Sequence, residues 1–128
     1  EALARELKTQ CMIYGGQPAA QRDKCISDFQ GGAARVIICN IKAGGVGISL
    51  HDVDGEYPRT AIILPTNNAV EMGQALGRVH RAGGKSRSRQ LVLFAAGSVE
   101  EQICESTRRK LSNIAALNDG DLSPQAKF

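Results

Sequence analysis

Arg35-Val36-Ile37-Ile38-Cys39 runs through Asn40-Ile41-Lys42 into Ala43-Gly44-Gly45-Val46-Gly47. After Arg35, the run Val36 to Cys39 is apolar and rich in β-branched side chains. Such a run reads as a strand buried on both faces, the kind found in parallel sheets. The glycines that follow permit positive φ and close approach of a phosphate or another backbone. Successive N–H groups in such a loop can cradle an anion. A tight strand-to-helix turn with no ligand explains the same residues equally well. Two more runs repeat the strand signal, Thr60 to Leu64 (TAIIL) and Gln90 to Ala95 (QLVLFA).

Helical patterns lie between these strands. Leu3 and Leu7 are four apart, a helical stripe near the start. Cys11 to Tyr14 reads as a short strand that stops at Gly15-Gly16. Pro18 suits the first turn of a helix, Arg22, Ile26 and Phe29 continue its period, and Gly31-Gly32 stops it. His51 to Arg59 is polar and contains Gly55 and Pro58, so it reads as a connecting loop. Thr66-Asn67-Asn68 offers caps for a helix predicted over residues 69–81. Ser98 with Glu101 forms a capping box for a last helix running toward Leu117. Alternating strands and helices predict an α/β layer fold with a mainly parallel sheet and right-handed crossovers. Ligands sit at the carboxyl ends of strands in such sheets. The glycine loop and the stretch around Gly77 are therefore expected to share one edge.

The chain has 128 residues, 42% hydrophobic and 23% charged, which are globular values for one domain. No apolar run approaches the roughly 18 residues of a membrane helix, so no membrane partner is expected. The four cysteines are scattered without a CxxC pair, which disfavours a zinc site or a disulfide framework. Reduced thiols point to an intracellular setting, cytoplasm or nucleus. A net charge of +3 tolerates a polyanionic partner without demanding one. Only 4% of residues are aromatic, so a base-stacking platform is poorly supplied.

Gln74-Ala75-Leu76-Gly77-Arg78-Val79-His80-Arg81 carries the most chemistry. Arg78 and Arg81 are three apart, and Gln74 is four before Arg78, so one helical face is expected to hold all three. Two adjacent guanidiniums repel unless an anion meets them, and a phosphate can take such a fork. A solvated basic helix end is the plainer explanation. Gly84-Lys85-Ser86 is not a phosphate loop, because Val79 stands where the motif needs glycine. Lys85, Arg87 and Arg89 read as solvated charge that could touch phosphates. Asp52, Asp54 and Glu56 read as a charged loop tip, and no metal site is expected.

Taken together, two stretches carry a family resemblance. Residues 38–50, ICNIKAGGVGISL, resemble motif V of superfamily 2 helicases and translocases. QALGRVHR, residues 74–81, is similar to motif VI, with the pattern QxxGRxxR. Upstream, Tyr14-Gly15-Gly16 with Arg22 and Phe29 resembles the segment before motif V. Downstream, Gly97-Ser98-Val99-Glu100-Glu101-Gln102-Ile103 resembles the stretch that follows motif VI in Snf2-like members. The GISLHDVDGEYPR stretch is also similar to helicases of large DNA viruses and phages.

The resemblance implies the second of two RecA-like lobes, a three-layer sandwich with a mainly parallel central sheet. The lobe is expected over residues 1–117, with 118–128 as a tail. It implies that ATP and Mg2+ are held mainly by an N-terminal RecA-like lobe carrying the phosphate loop, absent from residues 1–128. Arg78 and Arg81 would be arginine fingers, and Gln74 would help order the site. Gly45 and Gly47 would bring motif V to the nucleotide. Ser49 stands where many members carry Asp or Asn facing the ribose, and its shorter side chain implies a weaker contact. Asn40 and Lys42 would touch the backbone of DNA or RNA. Such a lobe alone is expected to hydrolyse no ATP. Two alternatives stand beside it. One is a non-catalytic module binding nucleic acid or protein through Lys42 and the Lys85–Arg89 loop. The other is an unrelated α/β domain whose glycine loop binds a nucleotide unaided.

Overall fold

The computed structural model describes residues 1–42, 48–79 and 83–119, with side chains described as far as residue 114. The element order is α1 (Ala2–Glu6), β1 (Met12–Ile13), α2 (Ala19–Gln30), β2 (Ile38–Cys39), β3 (Thr60–Ile63), α3 (Ala69–Leu76), β4 (Arg89–Val92) and α4 (Val99–Asp119). Among the described residues all strand pairing is parallel, in two two-stranded sheets, β1 with β2 and β3 with β4. The expected α/β class with parallel strands is what the chain adopts. The chain forms two compact units, one of residues 1–59 with 78–88, the other of 60–77 with 89–128.

In the first unit, α2 is the crossover between β1 and β2. Met12 lies opposite Ile38 and Ile13 opposite Cys39. Ladder bonds extend past both ends, Ile38 N–H to the Cys11 carbonyl at 3.0 Å and Asn40 N–H to the Ile13 carbonyl at 2.9 Å. Thr9 adds a side-chain bond to the Val36 carbonyl at 2.7 Å. Ile13, Cys11, Cys25, Phe29, Ile48, Leu50 and Val79 are buried. Cys25 and Phe29, four apart on α2, form its inward stripe. α2 starts after Pro18 and closes at Gly31, as the punctuation predicts, and Gly32 takes the left-handed turn with φ +81°.

In the second unit, β3 and β4 pair from Thr60↔Arg89 to Ile63↔Val92. Asn68 caps α3 by accepting from the Val70 and Glu71 N–H groups at 3.0 and 3.2 Å. Met72, Ala69 and Ala75 turn that helix's apolar face inward. Gly73 lets α3 approach α4 closely, since a methyl there would sit 3.3 Å from Leu111. Thr107, 1% exposed, donates from Oγ1 to the Thr66 carbonyl at 2.7 Å and ties α4 to the segment before α3.

Four expectations are corrected. β2 is half-buried on both sides, not fully covered. β3 buries Ile63 but leaves Ile62 and Leu64 exposed, because strand side chains alternate and only one side is packed. β4 likewise exposes Leu91 and is shorter than predicted. The helix predicted over 69–81 ends at Leu76, with Gly77 N–H closing on the Gly73 carbonyl at 3.0 Å. Beyond that turn, Arg78 is drawn into contacts of its own. α4 runs to Asp119, and most of the expected tail, residues 120–128, lies outside the described residues.

Candidate functional site at the carboxyl end of β2

Arg78 joins the two motif stretches. Its side chain is buried, and Nη2 donates to the Ile41 carbonyl at 3.1 Å. Its own carbonyl accepts the Leu50 N–H at 2.9 Å. Ile41 precedes the glycine loop and Leu50 follows it, so one residue fastens both stems. The described ends of the expected shared edge, Ile41 and Leu50, both meet Arg78. The guanidinium also reaches the Cys39 thiol. Burial pushes that thiol above its ordinary 9.0, and the neighbouring Arg78 charge only partly offsets this, so the sulfur stays protonated.

The other expected residues are placed as follows. Asn40 and Lys42 are exposed. Asn40 spends its side-chain oxygen on the Lys42 N–H at 3.0 Å, which shapes the turn out of β2. Ser49 is half-buried, and its carbonyl accepts from Gln30 Nε2 at 3.0 Å. Gln74 is exposed on α3, in the other unit. Because α3 ends at Leu76, Gln74 and Arg78 do not share a helical face. Gly45, Gly47 and Arg81 lie outside the described residues.

Three contributors escaped sequence reasoning. Asp52 is buried, not a loop tip. Its carboxylate accepts from the N–H groups of Asp54, Gly55 and Tyr57 at 3.3, 3.0 and 3.2 Å, and from Ser86 Oγ at 2.6 Å. Burial pushes Asp52 up, but Ser86 and the three N–H donors pull harder and leave it below its ordinary 3.8. The Lys85 N–H meets the Asp52 carbonyl at 2.9 Å, so the basic loop is anchored here. The Asp-x-Asp-Gly spacing was the available signal, since Asp bonds N–H groups just downstream. Arg59 is buried, with Nη2 3.3 Å from the Phe29 carbonyl and 3.0 Å from Gln30 Oε1. Its guanidinium stacks 4.0 Å from the Phe29 ring centroid. Nothing in the sequence marks Arg59 or Gln30 beyond their position at element ends.

Chemically, this edge presents the exposed Lys42 cation and the buried Arg78 cation, which suit an anionic phosphate. Asp52 already serves four donors and is not available to a metal ion. Among the described residues no group of three or more His, Cys, Asp or Glu could hold one. Among the described residues, these cations suit a phosphate, and no acidic cluster is placed to ligate Mg2+.

A protein of Acanthamoeba polyphaga mimivirus, named a putative ATP-dependent RNA helicase, is 44% identical over 121 residues, 94% of this chain and 23% of its own length. The chromatin remodeling factor mit1 of Schizosaccharomyces pombe is 34% identical over 100 residues, 76% of this chain and 7% of its own. The chain thus spans under a quarter of the length of these relatives. Among solved structures, the C-terminal part of the Fun30 ATPase domain superposes with a TM-score of 0.67 and 25% identity, over 83% of this chain and 33% of that one. The α/β fold is accordingly that of a RecA-like second lobe. The profile of the helicase conserved C-terminal domain matches residues 2–83, which include both motif stretches and the Arg78 link between them. This chain belongs to the helicase C-terminal domain family.

Proposed function

We propose that the chain is the C-terminal lobe of an ATP-dependent nucleic-acid helicase or translocase. In this role it completes an ATP site whose phosphate loop and Mg2+ ligands come from an N-terminal lobe of the same protein. The carrying observation is Arg78, which ties the QxxGRxxR stretch to both stems of the glycine loop. Nucleotide state sensed by one stretch is thereby passed to the other. Arg81 and Arg78 present positive charge toward the phosphates, and Gln74 orders the approach. A finger of this kind is worth roughly 10³–10⁵ in rate where it has been measured. Gly45, Gly47 and Ser49 bring backbone and a short hydroxyl to the nucleotide. Asn40 and Lys42, exposed beside them, meet the nucleic-acid backbone. The relatives' names, an RNA helicase and a chromatin remodeling factor, support nucleic acid as the partner.

The test is nucleic-acid-stimulated ATP hydrolysis by the protein carrying both lobes. Arg81→Ala is expected to lower turnover by two orders of magnitude or more, that is ~100-fold. Turnover within twofold of wild type would remove the finger assignment. Residues 1–128 alone are expected to hydrolyse no ATP, and DNA or RNA binding by them should weaken steeply with added salt.

A further inference from the structure

We propose that Gln30, locked in place by Arg59, is a positioning residue that fixes the Ser49–Leu50 peptide and thereby the nucleotide-facing exit of the glycine loop. The proposal rests on the helicase-lobe reading above. Its basis is one peptide group held at both edges. The Ser49 carbonyl accepts from Gln30 Nε2 at 3.0 Å. The N–H of the same peptide, on Leu50, donates to the Arg78 carbonyl at 2.9 Å. A peptide plane bonded on both sides cannot rotate without breaking one bond.

The orientation of the Gln30 amide follows from its neighbours. Arg59 has only donors, so it must meet the amide oxygen, and Nη2 lies 3.0 Å from Oε1. The amide nitrogen is then the atom that faces the Ser49 carbonyl. Arg59 is itself held by the Phe29 carbonyl and the Phe29 ring, on the last turn of α2. A line of contacts thus runs from the end of α2 through Gln30 to the segment after the glycine loop. Capping of α2 explains the bond to Phe29. It does not require the bond to Ser49, which lies 19 residues downstream.

Gln30→Glu separates the two roles. The carboxylate still receives Arg59 but offers no donor to the Ser49 carbonyl. In the protein carrying both lobes, KM for ATP is expected to rise about three- to tenfold, the value of one ordinary hydrogen bond. The kcat should remain within twofold and thermal stability should be retained. Hydrogen exchange over residues 48–50 should quicken while α2 stays protected. A KM unchanged from wild type overturns the proposal. So does a fall in kcat that tracks a fall in thermal stability, which would make Gln30 merely structural. A wild-type protein that hydrolyses no ATP overturns the helicase reading and this proposal with it. A wild type that hydrolyses ATP while Gln30→Glu matches its KM overturns the positioning role alone.

Discussion

Arg78 Nη2 lies 3.1 Å from the carbonyl oxygen of Ile41, a residue 37 positions earlier in the chain. The guanidinium therefore acts first as a buried brace between two loops. Hydrogen bonds to charged groups contribute roughly 1.5–3 kcal/mol. Arg78→Ala is expected to lower stability by about 2 kcal/mol, in addition to its effect on ATP turnover. Thermal unfolding of residues 1–128 checks this without any ATPase assay, and an unchanged midpoint would contradict the brace.

Thr107→Val removes a hydroxyl without removing volume. The Thr66 carbonyl then loses the donor it has at 2.7 Å in a site that is 1% exposed at Thr107. The expected loss is about 1–3 kcal/mol, from an unsatisfied buried acceptor. Denaturant unfolding should show a lower midpoint with an unchanged slope. Thr107→Ser, which keeps the donor, should lose less.

Gly32→Ala meets two obstacles at once. Gly32 has φ +81°, and a methyl there would stand 2.6 Å from the Tyr57 ring. The left-handed backbone alone costs roughly 1–2 kcal/mol for a residue with a Cβ. Gly16, also left-handed but with open space around it, provides the control. Thermal unfolding should rank Gly32→Ala well below Gly16→Ala.

Asp52 makes part of the stability dependent on acid. Its carboxylate is held below its ordinary 3.8 in the folded chain. A depressed folded value means stability that is fully present above the unfolded value and lost as pH falls through the folded one. Wild type should therefore exceed Asp52→Asn most clearly near neutral pH. The gap should close as pH drops below about 4. A gap that stays constant into acid would show that ionisation of Asp52 contributes nothing.

The order of elements was legible because its signals are local. Asn68 caps α3 and Gly31 stops α2, each through groups a few residues away. The start of α4 was nearly so. Ser98 accepts from the Glu100 N–H at 3.2 Å, but Glu101 reaches the Gly97 N–H at 2.8 Å, one residue before the expected partner. What stayed hidden depended on distant partners. α3 stops at Leu76, ahead of Arg78, whose side chain and carbonyl are bonded to Ile41 and Leu50 far along the chain. Apolar runs do not tell how many faces will be covered, so Ile62 and Ile63 looked alike and ended differently. The site followed the same rule. Motif spacing singled out Arg78, while Gln30 and Arg59 became visible only once the end of α2 met the return of the glycine loop.

The pairing of β4 with β3 and the anchoring of α4 on Thr66 bear on where this lobe can be cut. The family profile stops at residue 83, ahead of both elements. A protein trimmed there would leave β3 as a bare edge with unpaired N–H and C=O groups, an invitation to aggregate. It would also strip α3 of the helix that Gly73 was shaped to receive. The matched stretch thus ends short of the elements that pair and cover it, and soluble expression should demand residues through the middle of α4.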